Sequence, residues 1–231
     1  MEFRNFLLSA ICRADLETLA SQLSEVSLQR GEVVFPKGGV VTHVYFPSSA
    51  VLSVVTVMRD GRFIESNTIG REGGAGLLDA AGGAPSYHRV FAQIAGSAFR
   101  LPAEDFRRQL EASPAFAQLL FRHALADAAQ TQQFVACNVL HNAEQRLARW
   151  LLMTADRTGT RAFSLTQEYM AVMTGVQRTT ISAMASDFKE RGLIRYSRGA
   201  LEILDVAGLR TVACECASVA HELFLGRRET D

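Results

Sequence analysis

The chain has 231 residues, 48% of them hydrophobic and 21% charged, with acidic and basic side chains in balance. That length allows one large or two ordinary domains with a substantial core, and the composition is that of a soluble globular protein. A net charge of +0 excludes a molecule coated in basic surface, so any nucleic-acid contact must be local, and no apolar run approaches the roughly 20 residues of a membrane span.

The opening Phe6 to Cys12 is short and apolar, but it lacks a basic leader and sets bulky Ile11 directly before Cys12. It reads as a first amphipathic helix rather than a processed signal, and the expected location is cytoplasmic. Asp15 to Leu23 continues as helix, with Asp15 as its expected cap and Leu16, Leu19, Ala20 and Leu23 on one face. From Val26 to Pro102 the texture changes to short β runs: Gly31–Pro36, His43–Phe46, Val51–Met58, Phe63–Ile69, Val90–Ile94 and Ala98–Leu101. Asp60-Gly61 between two of them signals a hairpin, and strands at this spacing imply a sandwich or a barrel whose interior could hold one small ligand. A metal-dependent enzyme on such a barrel would need clustered histidines, whereas His43 and His88 stand alone in the segment. A phosphate-bearing ligand would need backbone amides at a Gly-rich turn and a cation. Gly73 and Gly74 in Arg71–Leu78 offer the first, and Arg71 or Arg89 the second; a plain tight turn explains the same glycines.

A short helix is expected over Ala103–Leu110, then a long one from Ala115, after Pro114, to about Cys137. Two stripes run along the long helix. One is Phe121, Leu125, Ala128, Gln132, Val135 and Val139; the other is Phe116, Leu120, Ala124, Asp127, Thr131 and Phe134. Steps of three and four residues are the coiled-coil rhythm, and two adjacent stripes call for two partners, the barrel and a twin helix. A homodimer follows as the expectation, against the alternative of a helix buried within its own domain. Asn138 and Asn142 mark a break and a new cap before a helix over Glu144–Asp156, which places a hinge at residues 138–142.

Ser164 to Met173 and Gln177 to Lys189 then form two helices around Thr174-Gly175-Val176, with Met170, Val176, Ile181, Met184 and Phe188 turned inward and Ala171 small at the crossing. This is the spacing of a helix-turn-helix. Leu193–Tyr196 and Ala200–Leu204 flank the turn Ser197-Arg198-Gly199 as a hairpin, completing a winged helix whose outer helix suits the major groove of double-stranded DNA. Between residues 178 and 198 the bases Arg178, Lys189, Arg191, Arg195 and Arg198 stand against Asp187 and Glu190. Arg178, Thr179, Ser182 and Ala183 present one large donor among small side chains, which lets a helix approach base edges. Thr180, Ser182, Ser197 and the wing arginines Arg195 and Arg198 suit phosphate contacts, and Lys189 stands with them among the candidate DNA-binding residues. Asp205 is the expected cap of a terminal helix from Val206 to Leu225.

The order of barrel, long helix, hinge, capped helix and winged helix resembles the CRP/FNR superfamily of bacterial transcription regulators over nearly the whole chain, most closely in Asn142–Asp205 with its Arg178-Thr179-Thr180-Ile181-Ser182 run and Gly192-Leu193-Ile194 entry to the wing. The resemblance implies an α+β architecture: an N-terminal antiparallel β-roll or jelly-roll sensor domain (1–114), a long dimerisation helix and hinge (115–141), and a C-terminal winged helix-turn-helix (142–231). It also implies a sequence-specific regulator of transcription, not an enzyme, with Arg178, Thr179, Ser182 and Ala183 at base-facing positions. RNA polymerase is a further candidate partner. Ala183 departs from the arginine often found there, and Gln177 from a better helix cap. The family's Gly-Glu-Leu motif becomes Gly73-Gly74-Ala75, without the ribose-binding carboxylate. Its phosphate-holding Arg-Ser pair aligns with Ser86-Tyr87, or with His88-Arg89. Cyclic AMP is therefore not the expected ligand, although Thr131 falls where the family's long helix touches the base.

Cys12, Cys137, Cys214 and Cys216 do not make the N-terminal cluster of the family's iron–sulfur branch. On one continuous helix Cys214 and Cys216 would lie roughly 200° apart, so neither a mutual disulfide nor a chelate forms easily. Neither metal nor haem is expected. The rival function is a ligand-binding module that controls a protein partner without touching DNA.

Overall fold

The computed structural model describes residues 3–225. Two short helices, α1 (Phe6–Ser9) and α2 (Arg13–Leu19), lead into strands β1 (Ser24–Leu28), β2 (Val33–Phe35), β3 (His43–Pro47), β4 (Val51–Val57) and β5 (Phe63–Ile69). Helix α3 (Leu77–Gly82) interrupts the strands before β6 (Arg89–Ile94) and β7 (Gly96–Pro102). Helices α4 (Ala103–Ala112), α5 (Pro114–Leu140) and α6 (Ala143–Thr158) follow. Strand β8 (Ala162–Ser164), helices α7 (Gln167–Thr174) and α8 (Arg178–Glu190), strands β9 (Ile194–Ser197) and β10 (Ala200–Ile203), and helices α9 (Val206–Val212) and α10 (Cys216–Leu225) complete the chain.

The N-terminal strands pair antiparallel in two sheets, ordered β1-β7-β3 and β2-β6-β4-β5. Leu28, Phe35, Val44, Phe46, Leu52, Val90, Ala92 and Leu101 fill the space between them, where apolar burial is worth about 25 cal/mol per Å². The period of two on β6 sends Val90 and Ala92 into this roll and Phe91 to its outer face, against the C-terminal half. The second core therefore crosses between domains, joining Val51, Val55 and Phe91 to Leu147, Trp150, Leu151, Ile181 and Phe188.

Caps explain the helix starts. Ser113 accepts from the Phe116 amide at 3.2 Å to begin α5, and Asn142 exchanges hydrogen bonds with Gln145 in a reciprocal capping box for α6. His141 is extended, with φ −105° and ψ 146°, and separates the two helices. At α9, Asp205 accepts from the Gly208 amide at 2.9 Å.

Three expectations need correction. Asp15 does not cap α2; it lies in that helix's first turn, and its buried carboxylate accepts from Gln109 at 2.7 Å and Ser113 at 2.8 Å. The terminal segment is two helices, broken at residues 213–215. That break puts Cys214 outside the helical period, so the sulfurs of Cys214 and Cys216 converge, and both approach Cys137 and His141. The expectation that Cys214 and Cys216 face about 200° apart fails because it assumed one unbroken helix.

Candidate nucleic-acid interface

Helix α7 begins where the Thr166 hydroxyl accepts from the Tyr169 amide at 3.3 Å, and ends at Gly175 in the left-handed region, φ +68°. Only a residue without a Cβ adopts that turn cheaply. It also holds close quarters, since a Cβ there would come within 3.3 Å of the Ile64 side chain. Met170, Ile181 and Phe188 are fully enclosed, Ala171 and Ala185 lie buried at the helix crossing, and Val176 and Met184 pack partly exposed against the same core. With Ile181, Ala185 and Phe188 sealed inward, the opposite face of α8 is fixed towards solvent.

On that face Arg178, Thr179, Thr180, Ala183 and Lys189 are exposed. Ser182 is half-buried, and its hydroxyl lies within hydrogen-bond distance of Gln167 Oε1 (2.8 Å) and the Arg178 carbonyl (3.0 Å). Gln167, which the sequence reading did not single out, thereby ties α7 to α8. No side chain caps the first turn of α8 at Gln177, so amides of that turn remain open to an anion.

The wing follows from the end of α8. Gly192 at φ +72° lets its own amide reach the Lys189 carbonyl (3.0 Å) and the Leu193 amide reach that of Phe188 (2.9 Å), a Schellman ending that turns the chain sharply into β9. Strands β9 and β10 pair across Arg198-Gly199, both with positive φ (48° and 82°), the type I′ geometry of tight hairpins. Strand β8, unforeseen in the sequence, adds to the far edge of β10. Arg195, Ser197 and Arg198 are exposed. Arg195 pairs with Glu202 across the wing, and Arg198 stands at its tip.

A polar joint binds this domain to the roll. Glu65 on β5 accepts from Ser53 (2.7 Å), Gln93 (3.1 Å) and the Trp150 indole N–H (3.0 Å). Burial pushes its carboxyl up to about 7, opposed by the Ser53 and Trp150 hydrogen bonds and by Arg157 and Arg149. Arg157 on α6 donates to Glu72 at 2.7 Å and to Gln130 at 3.1 Å. Glu72 Oε1 in turn accepts from the Gly70 amide. Next to this joint a cleft of about 610 Å³ separates Met58, Arg62, Phe63 and Ile64 of the β4–β5 hairpin from Ala171, Val172, Gly175 and Arg178.

The four ligand candidates do not converge. Gly73 is covered by His123 of α5, and Gly74 by Leu77, Phe46 and the Tyr45 carbonyl. The Thr131 hydroxyl donates to the Asp127 carbonyl of its own helix at 2.9 Å. Arg89 departs furthest, because the alternation of β6 carries it to the outer face with Phe91, where its guanidinium lies over the Phe63 and Phe91 rings. Arg71, the other candidate cation, lies over the Phe6 ring.

Comparison with known proteins agrees with this geometry. Residues 25–113 match the cyclic nucleotide-binding domain family, and residues 145–212 match the Crp-like helix-turn-helix domain family. A "CRP-like cAMP-activated global transcriptional regulator" of Mycobacterium tuberculosis is 25% identical over 197 residues, covering 82% of this chain and 88% of that protein. Among solved structures, a CRP-family transcriptional regulator of Thermus thermophilus superposes with a TM-score of 0.68 at 21% identity, over 81% of this chain and 96% of that one. The c-di-GMP-responsive global regulator CLP of Xanthomonas campestris does so with a TM-score of 0.66 at 11% identity, over 84% and 100%.

Proposed function

We propose, since this chain belongs to the CRP/FNR family of DNA-binding transcription regulators, that it works as a homodimer whose paired α8 helices read two half-sites of a pseudo-palindrome. The observation that carries this reading is the single exposed face of α8 with its arginine, beside a wing that ends in Arg198. Arg178 is assigned to a base edge, where bidentate donation to guanine discriminates between sequences. Thr179 and Ala183 keep the helix surface low enough to approach. Thr180, Lys189, Arg195, Ser197 and Arg198 are assigned to phosphates, as is the uncapped first turn of α8. Ser182 retains a place at the rim, with its hydroxyl oriented by Gln167. Enzymatic activity has no part in this function.

Pairing is supported by α5. Phe121, Leu125, Val135 and Val139 are 65, 56, 64 and 79% exposed, and Ala128 and Gln132 between them are exposed too. The other stripe packs on the roll through Phe116 and on α6 through Phe134, which meets Met153 and Arg149, with Leu120, Ala124, Asp127 and Thr131 half-buried. An apolar strip running most of the length of a 27-residue helix fits a second copy of the same helix. Residues 1–114, 115–141 and 142–231 then divide into sensor, dimer helix with hinge, and reader.

A signal would act on the joint between roll and reader, by different affinity for docked and released arrangements. An effector other than cyclic AMP is the reading we favour. Its anionic phosphate would need a facing arginine, and Arg89 lies on the outer face while His123 covers Gly73. RNA polymerase remains the candidate downstream partner.

The direct test is a gel shift on DNA selected from random sequence, titrated with salt. A shared dyad-symmetric motif bound by two chains per duplex is the expected result. Absence of any selected motif would leave the protein-partner reading in its place.

A further inference from the structure

Cys137 lies in the last turn of α5, His141 in the hinge, and Cys214 and Cys216 at the α9–α10 break. Their Sγ and imidazole nitrogen atoms all lie within 4.8 Å of one another. Cys137 Sγ is 3.5 Å from Cys214 Sγ, and Cys216 Sγ is 3.6 Å from His141 Nδ1. Zinc–sulfur bonds of about 2.3 Å and zinc–nitrogen bonds of about 2.0 Å at tetrahedral angles put ligand atoms roughly 3.5–3.8 Å apart, so two edges of the tetrahedron already have their working length. A disulfide would need the sulfurs at about 2.0 Å, and all four cysteines are free.

The surroundings suit a metal as well. His141 Nε2 is 3.1 Å from the Glu215 carboxylate, so in the Nε2–H tautomer that this contact favours the Nδ1 lone pair faces Cys216 Sγ. Such a carboxylate–histidine pair is the usual support of a metal-bound imidazole. The Gln133 amide donates to Cys216 Sγ at 3.1 Å, and the Cys216 backbone is hydrogen-bonded to Cys214. Three thiolates and a divalent ion carry a net charge of −1; the buried Arg149, which acts electrostatically on Cys137 and Cys214, supplies the balance. Its Nε has no hydrogen-bond partner among the described residues.

We propose that Cys137, His141, Cys214 and Cys216 bind one zinc ion as a tetrahedral Cys3His site that fastens the end of the dimer helix to the C-terminal part of the DNA-binding domain. Soft sulfur donors with one imidazole select zinc among common divalent ions. Donors this close surround one ion and leave no volume for the bridging sulfides of an iron–sulfur cluster. Binding displaces three thiol protons and creates three Zn–S bonds and one Zn–N bond without any change of oxidation state. The site spans the hinge, so occupancy holds His141 and its neighbours in one conformation. The metal binding itself does not depend on the DNA reading.

The test is elemental analysis and cobalt titration of the full chain, purified reduced and without chelators. One zinc per chain is expected, and Co²⁺ should give the intense visible bands and thiolate charge-transfer absorption of a tetrahedral sulfur-rich site. Cys137→Ser and Cys214→Ser should abolish stoichiometric binding, and the exposed Cys12→Ser should leave it intact. Glu215→Gln should keep one equivalent but weaken affinity about 10–100-fold, which decides the matter even if the buried cysteine variants misfold. Removing zinc should raise amide exchange at residues 137–142 and 213–217. Failure of reduced protein to take up Zn²⁺, a weak octahedral cobalt spectrum, iron with acid-labile sulfide, or wild-type affinity in Glu215→Gln would each overturn the proposal.

Discussion

Arg178 and Arg198 illustrate how differently two exposed arginines on one surface are expected to behave. Arg178→Ala removes a candidate base reader, so affinity for the selected site should fall by about 1–3 kcal/mol while binding to random DNA changes little; equal losses on both DNAs would move Arg178 to the phosphate class. Arg198 occupies the left-handed region at φ 48°, a conformation asparagine accepts more readily than arginine. Arg198→Asn should therefore leave the wing at least as stable, yet lower the salt slope of binding by about 0.9 per lost phosphate contact. An unchanged slope would remove Arg198 from the interface. Glu65 behaves in a third way. Its carboxyl sits at about 7 in the fold against an ordinary 4.5, because burial disfavours the charge. The folded state thus holds this proton more tightly than the unfolded chain, and the stability it contributes is complete below about pH 4.5 and is lost as pH rises towards 7. Glu65→Gln should flatten the urea-midpoint profile across that window, by roughly 1–3 kcal/mol; parallel profiles for variant and wild type would refute it.

At the level of elements, what the sequence made legible was whatever local periodicity and caps decide. The two stripes of α5 separate into a buried and an open one, because a helix's faces follow from spacing alone, although the buried stripe divides its contacts between the roll at Phe116 and α6 at Phe134. Asn142, Asp205 and the Arg198-Gly199 turn were readable for the same reason, since each acts on neighbours a few residues away. The misses depend on partners far along the chain. Asp15 looked like a cap because its true partners, Gln109 and Ser113, are more than 90 residues distant. Strand β8 has three residues and exists through pairing with β10. Arg89 could be placed on the roll but not on the correct face, since a one-residue choice of register reverses the direction of every side chain. The open stripe of α5 supports a direct prediction. Leu125→Glu combined with Val135→Glu would set like charges into a helix-to-helix seam. Sedimentation should then show a monomer with unchanged circular dichroism, and a persisting dimer would place the interface elsewhere.

Across the whole molecule, the helix-turn-helix domain is docked on the N-terminal roll of its own chain, and this relation was invisible in the sequence because each half looks self-sufficient there. Core residues of β4 and β6 interlock with α6 and the helix-turn-helix, while the Glu72–Arg157 pair is buried on both sides, at 10 and 6% side-chain exposure. The Met58–Ile64 hairpin faces Arg178 across a cleft, and it is expected to compete with a DNA backbone approaching that end of α8. Released and docked arrangements should then differ in DNA affinity, with docking as the weaker binder. Glu72→Gln tests this, because it leaves the Arg157 guanidinium buried beside a neutral amide. Breaking such a pair from one side typically costs about 3–5 kcal/mol, which here falls on the joint rather than on either core. The expected result is faster amide exchange over residues 145–157 together with tighter operator binding. Tightening without a change in exchange, or loosening accompanied by weaker binding, would mean that the joint holds the reader ready for DNA rather than away from it.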